Sequence, residues 1–292
     1  MNTKTNAPVY YTGSNQLNIP KLIIALVLCF LITIVAAYVY TLLVAMLPFV
    51  YFRVGITLVF GVGMSYVVRL LTRIGHIRSR RNRYGLVLIT LLFLTYFQWV
   101  AFLLYAYDMR LPSFGYYLAN LDLFFSMEGV FAFIAEINEF GIWEVFGTTL
   151  NGTFWIIIWG LEFLIIMITL FIYTANARIY PYADDKEKWY KKHTLEENYK
   201  VGSLIKLTEG LHEDALKTIQ ALDYGSGRRY AKIHLYYLER STYHYLDVEK
   251  ISVDKEGKED ADLLIEALRI DNKTAKSLLD TMEHKQERIE IF

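Results

Sequence analysis

Residues 155–171, "WIIIWGLEFLIIMITLF", carry one ionisable side chain, Glu162. A bilayer core is crossed by roughly 20 apolar residues in a helix, and this stretch with its flanks meets that length. A carboxylate at such depth is costly unless it faces protein or water. The stretch therefore sets the fold class and raises the question of what shelters Glu162. Steps of three and four residues stay on one side of a helix. From Glu162 they reach Asn151, Trp155, Trp159, Ile166, Thr169, Tyr173 and Asn176. The polar residues of the span thus share one stripe, and the other faces are Ile, Leu, Phe and Met.

Three further stretches meet the same length rule, at about 22–47, 54–71 and 84–107, with the fourth at 153–173. Only "PFVYFR" separates the first two, which predicts a tight antiparallel hairpin. The segment "RLLTRIGHIRSRRNRY" between spans two and three holds arginines 69, 73, 78, 80, 81 and 83 and no acid. Short basic loops stay in the cytoplasm. Residues 108–150 hold six acids against Arg110 alone, which reads as outside, and the lysines after span four read as inside again. The expected fold class is an α-helical polytopic membrane domain of four spans with both ends cytoplasmic, followed by a small α+β cytoplasmic domain. The expected domains are a flexible polar tail (1–20), the membrane domain (21–180) and the cytoplasmic domain (185–292). The expected location is a bacterial cytoplasmic (inner) membrane. No cleavable signal peptide is evident, since the apolar run after Lys21 is too long for one.

Residues 111–150 include the apolar run "LFFSMEGVFAFIAEI". Its glutamates, and the inside signal that follows span four, argue against a fifth span. It reads as an aromatic-rich interfacial or re-entrant segment. Cys29 is the single cysteine, so neither an internal disulfide nor a cysteine-based zinc site is expected.

Gln98 in span three and Glu162 in span four each sit about nine residues from the outer end of their helix, about 14 Å down at 1.5 Å per residue. Thr95 and Tyr105 share the Gln98 face. The Gln98 and Glu162 faces are expected to meet. Two roles are open. Glu162 is protonated and joins helices through Gln98 or a second copy, or it lines a watery path for an ion or proton. The candidate stripe, pore-lining or helix-bracing, is Glu162, Gln98, Trp155, Trp159, Thr169 and Tyr173.

Arg69, Arg73, His76, Arg80 and Arg83 are spaced four, three, four and three. If the second helix continues past the membrane they form one basic ridge. Its plain role is anchoring on anionic lipid headgroups. The alternative is docking of a phosphate-bearing ligand. Nucleic acid is not expected, because aromatic residues do not interleave with the arginines.

From about residue 185 the periodicity changes. Leu204, Leu207, Leu211, Ala215 and Ile219 mark an amphipathic helix. "RYAKIHLYYLER" and "TYHYLDVEKISV" alternate as strands. Two short helices are expected at 259–270 and 273–284. There is no P-loop, GxGxxG, HExxH or GxSxG, so no catalytic constellation, cofactor or metal is expected. His234 and His244 could lie opposite each other on the hairpin, without further ligands at metal spacing. Gly225 and Gly227 before Arg228 and Arg229 read as a helix stop and turn rather than a phosphate loop.

The "WGLEF" glutamate of span four runs into "ARIYPYADDKEKWYKK". This resembles a loose group of uncharacterised bacterial multi-pass membrane proteins. In these, a last helix with a glutamate leads into a Pro-Phe-Cys-Glu-x-Cys-x-x-Trp segment and a small cytoplasmic domain. Pro181, Tyr182, Asp184 and Trp189 fit; Ala183 and Lys186 stand where the cysteines would be. The resemblance implies the architecture, without a metal knuckle, and no activity.

The function expected is an oligomeric multi-pass protein that forms or gates an ion or small-solute path under control of its cytoplasmic domain. The alternative is a membrane-anchored interaction or scaffold module without transport activity. The expected partners are the lipid bilayer, further copies of the chain and a cytoplasmic protein or phosphate-bearing ligand. An enzyme acting on lipid would need polar catalytic side chains near the inner interface, where only Asn176 and the arginines stand.

Overall fold

The structure is a computed structural model. It describes residues 8–46, 50–108, 111–120, 126–141, 143–145, 148–150, 152–175, 177–178, 180–195, 197–200, 202–225 and 227–289. The chain divides into a helical unit, Ser14–Ile179, and a sheet unit built from Tyr180–Phe292 together with Met1–Gly13.

The helical unit runs α1 (Ile19–Met46), α2 (Val50–Ile74), α3 (Arg80–Asp108), α4 (Phe114–Ala119), α5 (Met127–Phe140), the hairpin β1 (Trp143–Val145) and β2 (Thr148–Leu150), and α6 (Thr153–Leu170). A π-helical turn, Phe171–Ala175, extends α6. Four helices are long and apolar enough to cross a membrane, as the sequence suggests: α1, α2, α3 and α6 with its extension. The unit exposes apolar side chains such as Ile23, Val27, Leu31, Val35 and Val39 along one side of α1. Such a face suits acyl chains, where leaving Leu or Ile exposed costs nothing.

Backbone bonds stay inside each helix, as an apolar surrounding demands. Side-chain hydroxyls follow the same rule. Thr33, Thr41, Thr57, Ser65, Thr90 and Thr169 each donate to the carbonyl four residues earlier on their own helix. α1 and α3 pack through Phe30 against Phe93 and Phe97, with ring centroids 5.4 and 5.2 Å apart. α2 and α6 approach more closely. A Cβ on Gly61 would lie 2.1 Å from the Thr169 hydroxyl, so only glycine fits there.

Segment 111–119 lies beside α1 and not beyond its end. The Tyr38 hydroxyl donates to the Pro112 carbonyl (2.5 Å), and that of Tyr117 to the Ile34 carbonyl (3.1 Å). Ile34 is about 18 Å from Met46 at 1.5 Å per residue. That depth is what a re-entrant segment would show. α5 has 14 residues, about 21 Å, too short to span a bilayer.

The sheet unit comprises β3 (Tyr182–Ala183), β4 (Lys188–Trp189), β5 (Lys191–Thr194), β6 (Tyr199–Lys200), α7 (Leu204–Glu213), α8 (Ala215–Gln220), β7 (Arg229–Tyr237), β8 (Tyr243–Val253), β9 (Glu259–Asp271) and α9 (Asn272–Ile289). The antiparallel order is β5-β7-β8-β9, with β6 also on β7. Ile233, Leu235, Leu246, Val248, Ile265 and Leu268 pack against Leu207, Leu211, Ile219, Ala275 and Leu278 of the helices.

Three expectations are corrected here. The helix expected at 259–270 is strand β9. The helix expected across residues 204–220 is two helices, because Asp214 breaks it and accepts the Lys217 N–H as the cap of α8 (3.0 Å). The tail is not wholly loose: Tyr10 bridges Leu268, the Tyr11 N–H donates to the Ala267 carbonyl (2.9 Å) and the Arg269 N–H donates to the Val9 carbonyl (2.8 Å). Val9, Tyr10 and Tyr11 therefore add to the outer edge of β9, which is how an exposed sheet edge is blunted.

Candidate functional site

Glu162 is buried on the side of α6 that meets α2, and its partner is Arg53. The guanidinium Nε donates to one carboxylate oxygen and a terminal nitrogen to the other, the latter at 3.3 Å. The two side chains are 6% and 7% exposed, so the pair is shut away from solvent. The sequence reading placed Arg53 in the turn between spans one and two. In the structure α2 begins at Val50, and Arg53 is its fourth residue. The expected bond to Gln98 is corrected accordingly: the described bonds of the carboxylate run to Arg53.

Tyr40 of α1 completes one wall, its hydroxyl 2.8 Å from the Thr57 hydroxyl of α2. Beside the ion pair lies a cavity of about 40 Å³, lined by Tyr40, Thr95, Gln98, Trp99, Trp159 and Glu162 among others. A water needs roughly 10–15 Å³ of such space, so it suits about three. Trp159 sets its ring edge-on to Trp99 at 4.5 Å and stacks on Trp155 at 5.4 Å.

Of the six stripe residues, the cavity brings together Glu162, Gln98 and Trp159. Trp155 is fully buried behind Trp159. Thr169 lies two turns away, in the contact with Gly61, and its carbonyl accepts the Ser65 hydroxyl (3.1 Å). Tyr173 is exposed and takes part through its backbone carbonyl. Asn151 and Asn176 lie outside the described residues.

The basic ridge is not one helix. α2 stops at Ile74, and His76 takes a left-handed backbone (φ 50°) before α3 starts at Arg80. Arg69 donates through Nε to the Tyr173 carbonyl, and Arg83 donates to the Ala177 carbonyl at 2.7 Å. The first satisfies a carbonyl that a helix leaves open at its C-terminal end, and the second one just past it, where a positive charge also complements the helix dipole. Arg73 and Arg80 are exposed.

In the sheet unit, His234 is paired in register with Asp247, and His244 with Ile270, so the two histidines do not face each other. His234 lies between the Thr194 hydroxyl (2.9 Å) and a Glu249 oxygen (3.0 Å). His244 accepts the Leu238 N–H at Nδ1 (3.4 Å) and meets the Asn272 side-chain oxygen at Nε2 (3.2 Å). Burial holds its pKa below the ordinary value. Among the described residues no cluster of metal-ligating side chains forms. Gly225 is a close approach, since a Cβ there would lie 2.8 Å from the Lys200 nitrogen. Comparisons with protein-family models, with curated proteins and with solved structures give no match for this chain.

Proposed function

We propose that this chain is a multi-pass protein of a bacterial cytoplasmic membrane, working as a homo-oligomer, whose helical unit gates a path for protons or small ions. The observation that carries the reading is the Arg53–Glu162 pair beside a small cavity in helices otherwise fit for lipid. Two charges in an apolar bundle are an expensive way to join helices, and hydrophobic residues of like volume often do as well. Intramembrane charges are therefore read by default as part of a pathway. The pair and its rings act as a closed latch, because the cavity holds a few waters and not a hydrated ion with its shell.

Two arguments support both termini on the cytoplasmic side. The arginine-rich turn favours the inside. Tyr10, which precedes the helical unit in the chain, pairs with β9, which follows it, and this supports an even number of crossings. The helical unit is thus tethered to the sheet unit at both ends, through residues 12–18 and 176–181. These two links are the route by which the sheet unit would control the gate.

Flux into proteoliposomes, read by pH- and potassium-sensitive dyes, tests the reading. The expected result is ion flux that rises in Arg53→Gln, where the latch is open, and changes in Glu162→Gln. No flux from wild type or from either variant removes it. The scaffold alternative rests on the separate core of the sheet unit. It expects Glu162→Leu to leave function intact and removal of the sheet unit to abolish it.

A further inference from the structure

We propose that the cavity beside Glu162 binds small organic cations of guanidinium or ammonium type, which enter by displacing the Arg53 side chain from the carboxylate. The proposal deepens the gated-path reading, since it assigns the ligand chemistry of the same site. Glu162 already accepts a guanidinium, through Nε and a terminal nitrogen of Arg53. The internal arginine thus shows which cation shape the carboxylate fits, and planar guanidinium matches a carboxylate two bonds at a time.

The charge pair is neutral overall and by itself favours neither sign of ligand. The rings decide. Tyr40, Trp99, Phe102, Trp159 and Phe163 line the space. An aromatic face attracts a cation within about 6 Å by roughly 0.5–2 kcal/mol and repels an anion. No described residue bonds the Gln98 amide or the Thr95 hydroxyl, which also line the cavity, so both have oxygens open to ligand N–H groups. The cavity of about 40 Å³ limits the ligand to a few heavy atoms.

The displaced arginine has a place to go. Arg53 is the fourth residue of α2. A long arginine stem on the first turn of a spanning helix carries its charge to the membrane surface. The exchange keeps one cation on one carboxylate in the apolar region, so no charge is left unpaired there.

The test uses the full-length protein in detergent, titrated with guanidinium or methylammonium chloride from 0 to about 20 mM at constant ionic strength. Tryptophan fluorescence and calorimetry report binding, and sodium chloride and sodium acetate are the controls. The expected result is saturable binding of both organic cations and of neither control. Arg53→Gln removes the internal competitor and tightens binding about tenfold, because the site no longer has to open first. Glu162→Gln abolishes binding. Trp159→Leu, which leaves the charges in place, weakens it roughly tenfold by calorimetry; it decides the matter if a charge variant fails to fold by circular dichroism and gel filtration. No saturable binding to wild type and Arg53→Gln, binding of acetate instead, or undiminished binding by Glu162→Gln or Trp159→Leu overturns the proposal. Binding without ion flux retains the ligand and removes conduction; flux without binding does the reverse.

Discussion

The helical and sheet units both bury polar groups, and they satisfy them by different routes. In the helical unit many hydroxyls fold back on their own helix, a few such as Ser65 also reach a neighbouring helix, and at the cavity the Arg53–Glu162 charge pair joins α2 and α6. In the sheet unit the bonds of buried polar groups cross strands. Asp247 of β8 accepts the Tyr236 hydroxyl of β7 (2.8 Å) and the Ala267 N–H of β9 (2.6 Å). The difference follows from solvent and geometry. A helix closes its backbone bonds internally and needs nothing from a neighbour, whereas each strand depends on the next. A charge pair between helices is therefore an addition to a fold that does not need it. A carboxylate between strands is part of what makes the fold.

The sharpest way to break this contrast is to remove one charge of the helical pair. Arg53→Leu alone leaves the Glu162 carboxylate buried without its partner, at a cost of about 3–5 kcal/mol, and Glu162→Leu costs less because Arg53 can carry its charge to the membrane surface. The double variant Arg53→Met with Glu162→Leu regains most of that loss. Thermal unfolding in detergent measures all three. A double variant as unstable as Arg53→Leu would show that the pair is required by the fold and would end its reading as a functional addition.

The matching change in the sheet unit should behave in the opposite way. Asp247→Ala strands the Ala267 N–H, which sits at a left-handed position (φ 51°), and the buried Tyr236 hydroxyl. Hydrogen bonds to a charged acceptor contribute about 1.5–3 kcal/mol each, so a loss of about 3 kcal/mol is expected. Adding Tyr236→Phe should not restore it, because the backbone N–H stays unmet. Urea unfolding followed by far-ultraviolet circular dichroism reads both.

Asp247 also shows why the sequence was legible in one unit and misread in part of the other. The apolar lengths of α1, α2, α3 and α6 and the alternation of β7 and β8 are period signals, and both came through. The sequence of β9, "EDADLLIEALRID", does not alternate. Val248 pairs with Ile265, Leu246 with Leu268, and Glu249 with Leu263, so β9 carries two extra residues in bulges. The bulges shift the phase of the buried positions Ile265, Ala267, Leu268 and Ile270, and the resulting spacing imitates a helix. The signal for the bulge lay on another strand, in Asp247, where local periodicity cannot find it. Arg53 was missed for a related reason. The length rule trimmed α2 at its first charge, although a charged residue can sit inside a spanning helix when a carboxylate elsewhere in the chain receives it. A lone Glu162 in apolar surroundings was itself a reason to search the other spans for a cation.

A smaller effect tests the close contact two turns from the charge pair. Gly61→Val drives a side chain into the Thr169 hydroxyl and should cost about 2 kcal/mol through forced separation of α2 and α6. Thr169→Ala removes the nearest atom and should recover part of it. If Gly61→Val is neutral, the helices are not held at this distance, and the geometry at Glu162 does not depend on their packing.

The smallest expected effect is a single proton in the sheet unit. His244 is buried as the neutral ring, with Nδ1 accepting an N–H, and it stacks on Tyr237 at 4.6 Å with planes 6° apart. Its pKa is lowered by burial, so between its folded value and the unfolded value near 6.5 the unfolded chain binds more protons. Stability from this group is then complete above about pH 6.5 and is lost as pH falls toward the folded value. Urea midpoints from pH 8 to pH 5 should decline more steeply for wild type than for His244→Phe, which keeps a ring against Tyr237 but cannot take up the proton. Equal slopes would mean that losing the Leu238 bond on protonation costs little, and that cross-strand polar groups in this unit yield more readily than the response of Asp247→Ala would suggest.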